Sequence, residues 1–237
     1  MARAKKADDL APEKLRMVAV ELFAKKGFAA TGIREIAHAA GITASLLYHY
    51  WPTKEDLLVD IMNSALIAII SAAKDALSRV EGPAAQLAAL IETHTAAQAI
   101  NAHEALVVDT EHRSLVGPAY RDVMALRDRY EDLWRDVIDQ GCAAGVFSVS
   151  DSRVARLALL EMCNGVAWWY RPSGVLSLEA VTRSLADIGL AAVRARRGGR
   201  SISVADLEIP QPSVLVAIVQ SVLKSRARRG GLRVEAP

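Results

Sequence analysis

The chain has 237 residues, 52% hydrophobic, 24% charged and only 5% aromatic, with a formal net charge of +2. That apolar content and near-neutral charge exclude a wholly disordered chain. Two cysteines, Cys142 and Cys163, exclude a disulfide-stapled scaffold and suit a reduced, cytoplasmic setting. The longest uncharged apolar stretch, Ala65 to Ala73, is shorter than the roughly 18–20 residues that span a bilayer, and no apolar signal segment follows MARAKK, so no membrane partner is expected.

The charge is unevenly placed. Residues 1–57 carry nine basic and seven acidic side chains, 58–193 carry eleven and seventeen, and 194–237 carry nine and three. An acidic middle of net −6 therefore lies between ends of +2 and +6, a contrast hidden in the total.

Almost every element in chain order reads as helix. Pro12 opens a segment whose Leu15, Val18, Ala19, Leu22 and Phe23 follow the three-four spacing and which ends near Gly27. Thr31 is placed to cap a short second helix with Ile33, Ile36, Ala37 and Ala40 inward, stopped by Gly41. Thr43 caps a third helix, with Ile42 and Leu47 spaced as a hydrophobic staple. Pro52 breaks the chain, and Thr53 caps a long fourth helix with Glu55 and Asp56 in its first turn. Further helices are predicted at 83–101, 103–115, 118–143, 151–170 and 177–197, punctuated by glycine and proline. Residues 198–211 read as a linker and 213–229 as an amphipathic helix with a basic end. Period-two strand signals are nearly absent, so the fold class is all-α. The expected division is a helix-turn-helix domain at 1–53, a larger helical domain at 54–197 and an extension at 198–237.

Catalytic signatures do not emerge: there is no phosphate-cradling glycine loop, nucleophile elbow or zincin motif, so no catalytic residue and no cofactor is assigned. His94, His103 and His112 recur every nine residues, but nine helical residues advance about 900°, which turns neighbours to opposite faces and argues against a metal site. The cysteines, on different predicted helices, read as core thiols.

The informative segment is TGIREIAHAAGITASLLYHYWPTKED, Thr31 to Asp56. Two short helices joined by Gly41-Ile42-Thr43 form a helix-turn-helix, whose second helix enters the DNA major groove. Its outer face carries Ala44, Ser45 and His49, and small side chains at a helix N-terminus permit close backbone approach to phosphate. Lys54 stands in a first helical turn, where a cation opposes the macrodipole; either a phosphate arrives there or the lysine pairs with Glu55 or Asp56.

The stretch resembles the DNA-binding head of the TetR family of one-component regulators. The likeness rests on Thr31, Ile36-Ala37, Ala40-Gly41-Ile42-Thr43, Leu47-Tyr48, Tyr50-Trp51, Thr53-Lys54 and Leu57, with Phe23, Gly27 and Phe28 of the first helix. Ser45 departs from the family's usual Gly, and Trp51 from its usual Phe, so no operator sequence carries over. The resemblance implies that Thr43, Tyr48, Tyr50 and Lys54 position phosphates, and that Arg34, Ala44, Ser45, Leu46 and His49 face base edges of a double-stranded operator. The residues alone leave Leu46 free to pack against the first helix and His49 to be merely solvated. Arg3, Lys5 and Lys6 form a basic arm suited to a minor groove or to solvent.

The resemblance further implies a homodimer through the helices at 151–170 and 177–197. Leu157, Leu160 and Asn164 share one face there, as do Leu185, Ile188 and Ala192; both stripes could equally be intramolecular core. The aromatic residues of the middle cluster as Tyr130 with Trp134, and as Trp168-Trp169-Tyr170 beside Arg171. With Arg113 and Arg127 these form the expected ligand-binding set: Arg113, Arg127, Tyr130, Trp134, Trp168, Trp169 and Arg171. The run from Val107 to Ala192 is similar to regulators of fatty-acid or steroid breakdown that answer to acyl-CoA thioesters. An apolar tunnel with nearby cations would suit such a ligand. The reading is a homodimeric repressor released from a near-palindromic operator by a small apolar ligand, with an acyl-CoA thioester implied. The alternatives are a drug-like inducer, or a helical interaction module without DNA binding, whose C-terminal helix docks a partner.

Overall fold

The computed structural model describes residues 12–229; the Arg3, Lys5, Lys6 arm lies outside them. The helices are α1 (Pro12–Lys26), α2 (Ile33–Ala39), α3 (Ala44–Tyr50), α4 (Lys54–Leu77), α5 (Pro83–Ile100), α6 (Ala102–Thr110), α7 (Gly117–Ala143), α8 (Ser152–Asn164), α9 (Val166–Trp169), α10 (Leu178–Ala192) and α11 (Pro212–Arg229). The all-α expectation holds. Chain contacts divide the molecule into two units. Among the described residues, the first holds 12–65, 103–125 and 223–229; the second holds 66–102 and 126–222.

In the first unit, α1 buries Leu15, Ala19 and Phe23, one residue per turn of a single stripe. Ile36 and Ala37 of α2, Leu47 of α3, and Leu57, Leu58, Ile61 and Met62 of α4 are buried in the same unit. Each large side chain so buried contributes roughly 1.5–3 kcal/mol. Phe23 and Phe28 meet edge to face with centroids 5.3 Å apart. Gly41 ends the second helix at φ +70, a conformation that an L side chain adopts only with strain. Thr43 caps α3 as expected, its hydroxyl accepting from the Leu46 amide at 3.3 Å. Thr53 and Asp56 cap α4 reciprocally: the Thr53 amide donates to Asp56 Oδ2 at 2.9 Å and the Asp56 amide donates to Thr53 Oγ1 at 3.0 Å. Thr31 does not cap α2. That role falls to Gly32, while the buried Thr31 hydroxyl turns back to donate to the Gly27 carbonyl at 2.9 Å.

By length and composition α4 could cross a membrane, which a count of its uninterrupted apolar residues did not reveal. Its apolar character has a different use, since half of that span is buried inside the protein, with Leu57, Leu58, Ile61 and Met62 fully covered.

The second unit is organised around α5. Residues from Ala84 to Ala96 on this helix are buried on nearly every side, because α8, α9 and α10 all pack against it. Leu87, Leu90 and Ile91 meet Trp134, Val137 and Ile138 of α7, Leu159 and Cys163 of α8, and Ala186 and Leu190 of α10 in one core. Burial among apolar neighbours pushes the Cys163 thiol up to about 12, as expected of an inert core cysteine.

Three expectations change here. The helix expected at 151–170 is two, α8 and α9, parted at Gly165. The helix expected to reach 197 stops at Ala192, and the chain reverses through Arg194 at φ +51. The expected linker is ordered: Arg196–Arg197 (β1) pairs antiparallel with Arg200–Ser201 (β2) around Gly198 and Gly199, both at positive φ as a two-residue primed hairpin turn requires. Ile202 and Val204 then bury themselves, and Ser203 and Asp206 form a capping box around a 3-10 turn.

Candidate functional site

In the first unit, α3 offers one face to solvent. Leu47 is fully buried, whereas Ser45, Tyr48 and His49 are exposed, at the i, i+3, i+4 spacing of one helix side. Thr43 at the cap and Arg34 on α2 are exposed too, while Ala44, Leu46 and Tyr50 are half-buried. The helix-turn-helix thus presents the small N-terminal side chains and the tyrosine that its sequence suggested. Lys54 has a more definite role than its position implied. Its ammonium donates to the carbonyls of Phe28 at 2.7 Å and Thr31 at 2.8 Å and lies 4.2 Å from the centre of the Phe28 ring. It fastens the start of α4 to the loop between α1 and α2, and neither Glu55 nor Asp56 is needed to explain it. Lys26 and Glu35 form an ion pair between α1 and α2, and that lysine holds the Glu35 carboxyl below its ordinary range.

In the second unit, the unusual feature is polar chemistry within the buried helix. Glu92, Thr93, His94, Thr95 and Gln98 of α5 are all buried. His94 Nδ1 lies 2.7 Å from the Tyr130 hydroxyl, and His94 Nε2 lies 2.8 Å from Asn164 Oδ1. Gln98 donates to the same Asn164 oxygen at 2.7 Å. With Nε2–H and Gln98 Nε2 both donating to Asn164 Oδ1 and the Tyr130 O–H donating to Nδ1, the 3.0 Å approach of Gln98 Nε2 to His94 Nε2 sets two donors side by side rather than forming a bond. Burial disfavours the imidazolium and moves His94 down to about 4, so the ring is neutral at pH 7. His94 also stacks on Tyr130, with centroids 5.6 Å apart, and meets the edge of Trp134 at 5.8 Å. Trp134 Nε1 and Gln98 Oε1 are buried with no hydrogen-bond partner. Two residues before His94, Glu92 is fully buried with Arg183 Nε 3.4 Å away.

The residues expected to bind a ligand are not all brought together. Tyr130 and Trp134 lie in the core beside His94, and Arg127 is half-buried one turn before Tyr130. Trp168 and Trp169 are 63% and 51% exposed, and exposed Arg171 donates back to the neighbouring Tyr170 carbonyl. Arg113 is exposed on a 3-10 turn, Glu111–Ser114, of the first unit. The break at Gly165 is the reason for the outward tryptophans: α9 is a single turn that buries Val166 and Ala167, leaving its next two positions outside. The stripe expected at 157, 160 and 164 also divides, with Leu160 in the core, Asn164 on His94 and Leu157 exposed. Sequence reasoning passed over His94, Gln98 and Asn164 as a set. Their signal was the polar run ETHTAAQ inside an otherwise apolar helix. Among the described residues no cluster of metal-ligating side chains occurs.

The chain matches two family models, one described as bacterial regulatory proteins of the tetR family over residues 16–61 and one as a tetracyclin repressor-like C-terminal domain over residues 80–193. It is 28% identical over 175 residues to the HTH-type transcriptional repressor KstR2 of Rhodococcus jostii, covering 73% of this chain and 86% of that one. Among solved structures, the TetR family transcriptional regulator PfmR from Thermus thermophilus is 31% identical, with a TM-score of 0.67 over 77% of this chain and 98% of that chain. AibR, solved in complex with isovaleryl coenzyme A and operator DNA, shares the fold at 23% identity, with a TM-score of 0.67 over 74% of this chain and 97% of its own. With the helix-turn-helix, the helical second unit and these matches in agreement, the chain belongs to the TetR family of bacterial transcriptional regulators.

Proposed function

We propose that the protein is a homodimeric transcriptional repressor that holds a near-palindromic operator and lets go when a small, largely apolar ligand enters its second unit. The observation that carries the DNA part is the exposed face of α3, with Ser45, Tyr48 and His49 outward over buried Leu47. In this reading Thr43, Tyr48, Tyr50 and Lys54 meet phosphates, Lys54 with the one ammonium hydrogen left after its two carbonyl bonds. Arg34, Ala44, Ser45, Leu46 and His49 face bases. Two heads spaced by about one DNA turn, roughly 34–36 Å, read the two half-sites. The exposed Leu157, Trp168, Trp169 and Ile188 of α8, α9 and α10 supply an apolar face for the second copy.

The ligand reading draws on the neutral polar group around His94. Uncharged donors and acceptors in an apolar core suit a carbonyl or hydroxyl better than a carboxylate, and Trp134 Nε1 and Gln98 Oε1 are left to be satisfied. An acyl-CoA thioester offers such a carbonyl on an apolar chain, and the isovaleryl-CoA complex of AibR makes it the first class to try. Release then follows if the ligand favours the spacing that DNA does not accept. The test is fluorescence anisotropy with DNA upstream of the protein's own reading frame, titrated with acyl-CoA esters of graded length. Dissociation by one class of ester is the expected result. Failure of every ester removes the CoA reading, and failure to bind any duplex removes the repressor.

A further inference from the structure

Within the first unit, a line of alternating charges runs from α6 to the end of the recognition helix α3. Glu104 of α6 accepts from Arg226 Nη1 at 2.8 Å. Arg226, near the end of α11, donates through Nη2 to Glu13 of α1 at 3.3 Å. The other oxygen of Glu13 accepts from Arg16 Nε at 3.0 Å, and Arg16 Nη1 donates to Asp60 Oδ2 of α4 at 3.0 Å. That same Asp60 oxygen accepts from Trp51 Nε1 at 2.9 Å, and Trp51 is the residue that ends α3. Four of the five charged side chains, Glu104, Arg226, Glu13 and Arg16, are only 12–18% exposed.

We propose that Arg226 is a positioning residue for DNA binding: it fixes α1 to α6 and, through Glu13, Arg16 and Asp60, sets the end of the recognition helix. The physical ground is that each inner charge in the line lies between two opposite charges. Removing one member takes an opposite charge away from poorly solvated neighbours and disturbs the whole set. Arg226 stands outside both matched family segments, the later of which ends at residue 193, so this tie is a property of the chain's own C-terminal helix. The helix at 212–229 thereby acquires a use that its basic composition alone did not indicate.

Charge effects alone and positioning predict opposite signs at one residue. Replacing Glu104 by Ala removes a negative charge and, by electrostatics alone, tightens DNA binding. Positioning predicts the reverse, because the fraction of heads with α3 correctly set falls and the apparent Kd rises by that fraction. The experiment measures affinity for a duplex that the wild-type protein selects from a random library, at several salt concentrations, with sedimentation to show that assembly is unchanged. Glu104→Ala and Arg226→Ala are each expected to weaken binding about tenfold with an unaltered salt slope. The double variant should be little worse than either single one, and Arg226→Lys should recover part of the loss. Hydrogen exchange in α1 should quicken, while exchange in α5 and α10 stays as it was. Equal or tighter binding by Glu104→Ala overturns the proposal, as does a salt slope reduced by about one in Arg226→Ala, which would make the arginine a phosphate contact. The inference rests on the DNA-binding reading; failure of the wild-type protein to select any duplex defeats that reading instead.

Discussion

Glu92 and His94 stand two residues apart on α5, both sealed from solvent, and burial drives their titrations toward each other's range. The Glu92 carboxyl rises from 4.5 to about 7, with Arg183 pulling it down and Asp187 pushing it up, while His94 falls from 6.5 to about 4. The folded state therefore binds a proton at Glu92 more tightly than the unfolded chain does, and one at His94 less tightly. Stability linked to Glu92 is present below pH 4.5 and is lost as pH rises to about 7. Stability linked to His94 is present above pH 6.5 and is lost as pH falls to about 4. Between pH 4.5 and 6.5 the two slopes oppose, each on the order of 1.4 kcal/mol per pH unit at its steepest. Glu92→Gln is expected to leave a stability that climbs with pH over that window relative to wild type, and His94→Gln one that falls. Chemical denaturation at a series of pH values checks this, and parallel curves for all three proteins would refute it.

A second prediction concerns close packing. A Cβ placed on Gly141 of α7 would come within 2.0 Å and 2.2 Å of the Phe147 ring. Phe147 is buried among the α5 and α7 side chains, so the ring has little room to yield. Gly to Ala within a helix ordinarily stabilises by about 1 kcal/mol, but overpacking of this kind costs about 1–3 kcal/mol. Gly141→Ala is expected to lower the melting temperature, and Phe147→Leu in the same chain to restore part of it. A stabilised Gly141→Ala would contradict the packing.

Local rules and tertiary context divide what was legible in the sequence. Thr43, Thr53 and Gly41 act through neighbours three or four residues away, so their caps and turn could be read directly. Thr31 obeyed the same rule on paper, yet its hydroxyl found the Gly27 carbonyl, a partner set by how the α1–α2 loop folds back. The Gly198-Gly199 hairpin carried a readable turn signal, masked because no β-branched run flanks it. His94, Tyr130 and Asn164 are separated by 36 and 34 positions, and no spacing rule brings them together; only the burial of α5 on all sides does. Lys54 reads from sequence as a phosphate ligand or a local ion pair, and its two carbonyl partners, 23 and 26 residues away, are invisible for the same reason.

That tie separates two kinds of head variant. Lys54→Met should weaken DNA binding and also loosen the head by on the order of 1–2 kcal/mol, since the Phe28 and Thr31 carbonyls lose a charged donor. His49→Ala, on an exposed side chain, should change stability by less than about 0.5 kcal/mol while altering base preference at one operator position. Thermal melts combined with binding to single-base operator variants distinguish them. A Lys54→Met protein with wild-type stability would mean that the two carbonyl bonds contribute nothing.

The four tryptophans report on the assembly. Trp51 and Trp134 are 6% and 0% exposed within one chain, whereas Trp168 and Trp169 are 63% and 51% exposed, and Leu157 and Ile188 are exposed as well. If α8, α9 and α10 supply the dimer face, pairing hides the second two while leaving the first two as they were. Acrylamide should then quench only a minor part of the emission of the wild-type dimer, and dilution to monomer should expose a larger share. A truncated aromatic at the centre of an interface typically costs about 2 kcal/mol or more, roughly thirtyfold in dissociation constant. Trp168→Ala or Trp169→Ala is accordingly expected to shift sedimentation toward monomer at concentrations where the wild type is dimeric, and to weaken operator binding, because one head reads only half the site. Ready quenching of about half the emission in a dimer confirmed by sedimentation would place the interface elsewhere on the molecule, and unchanged assembly in both variants would say the same.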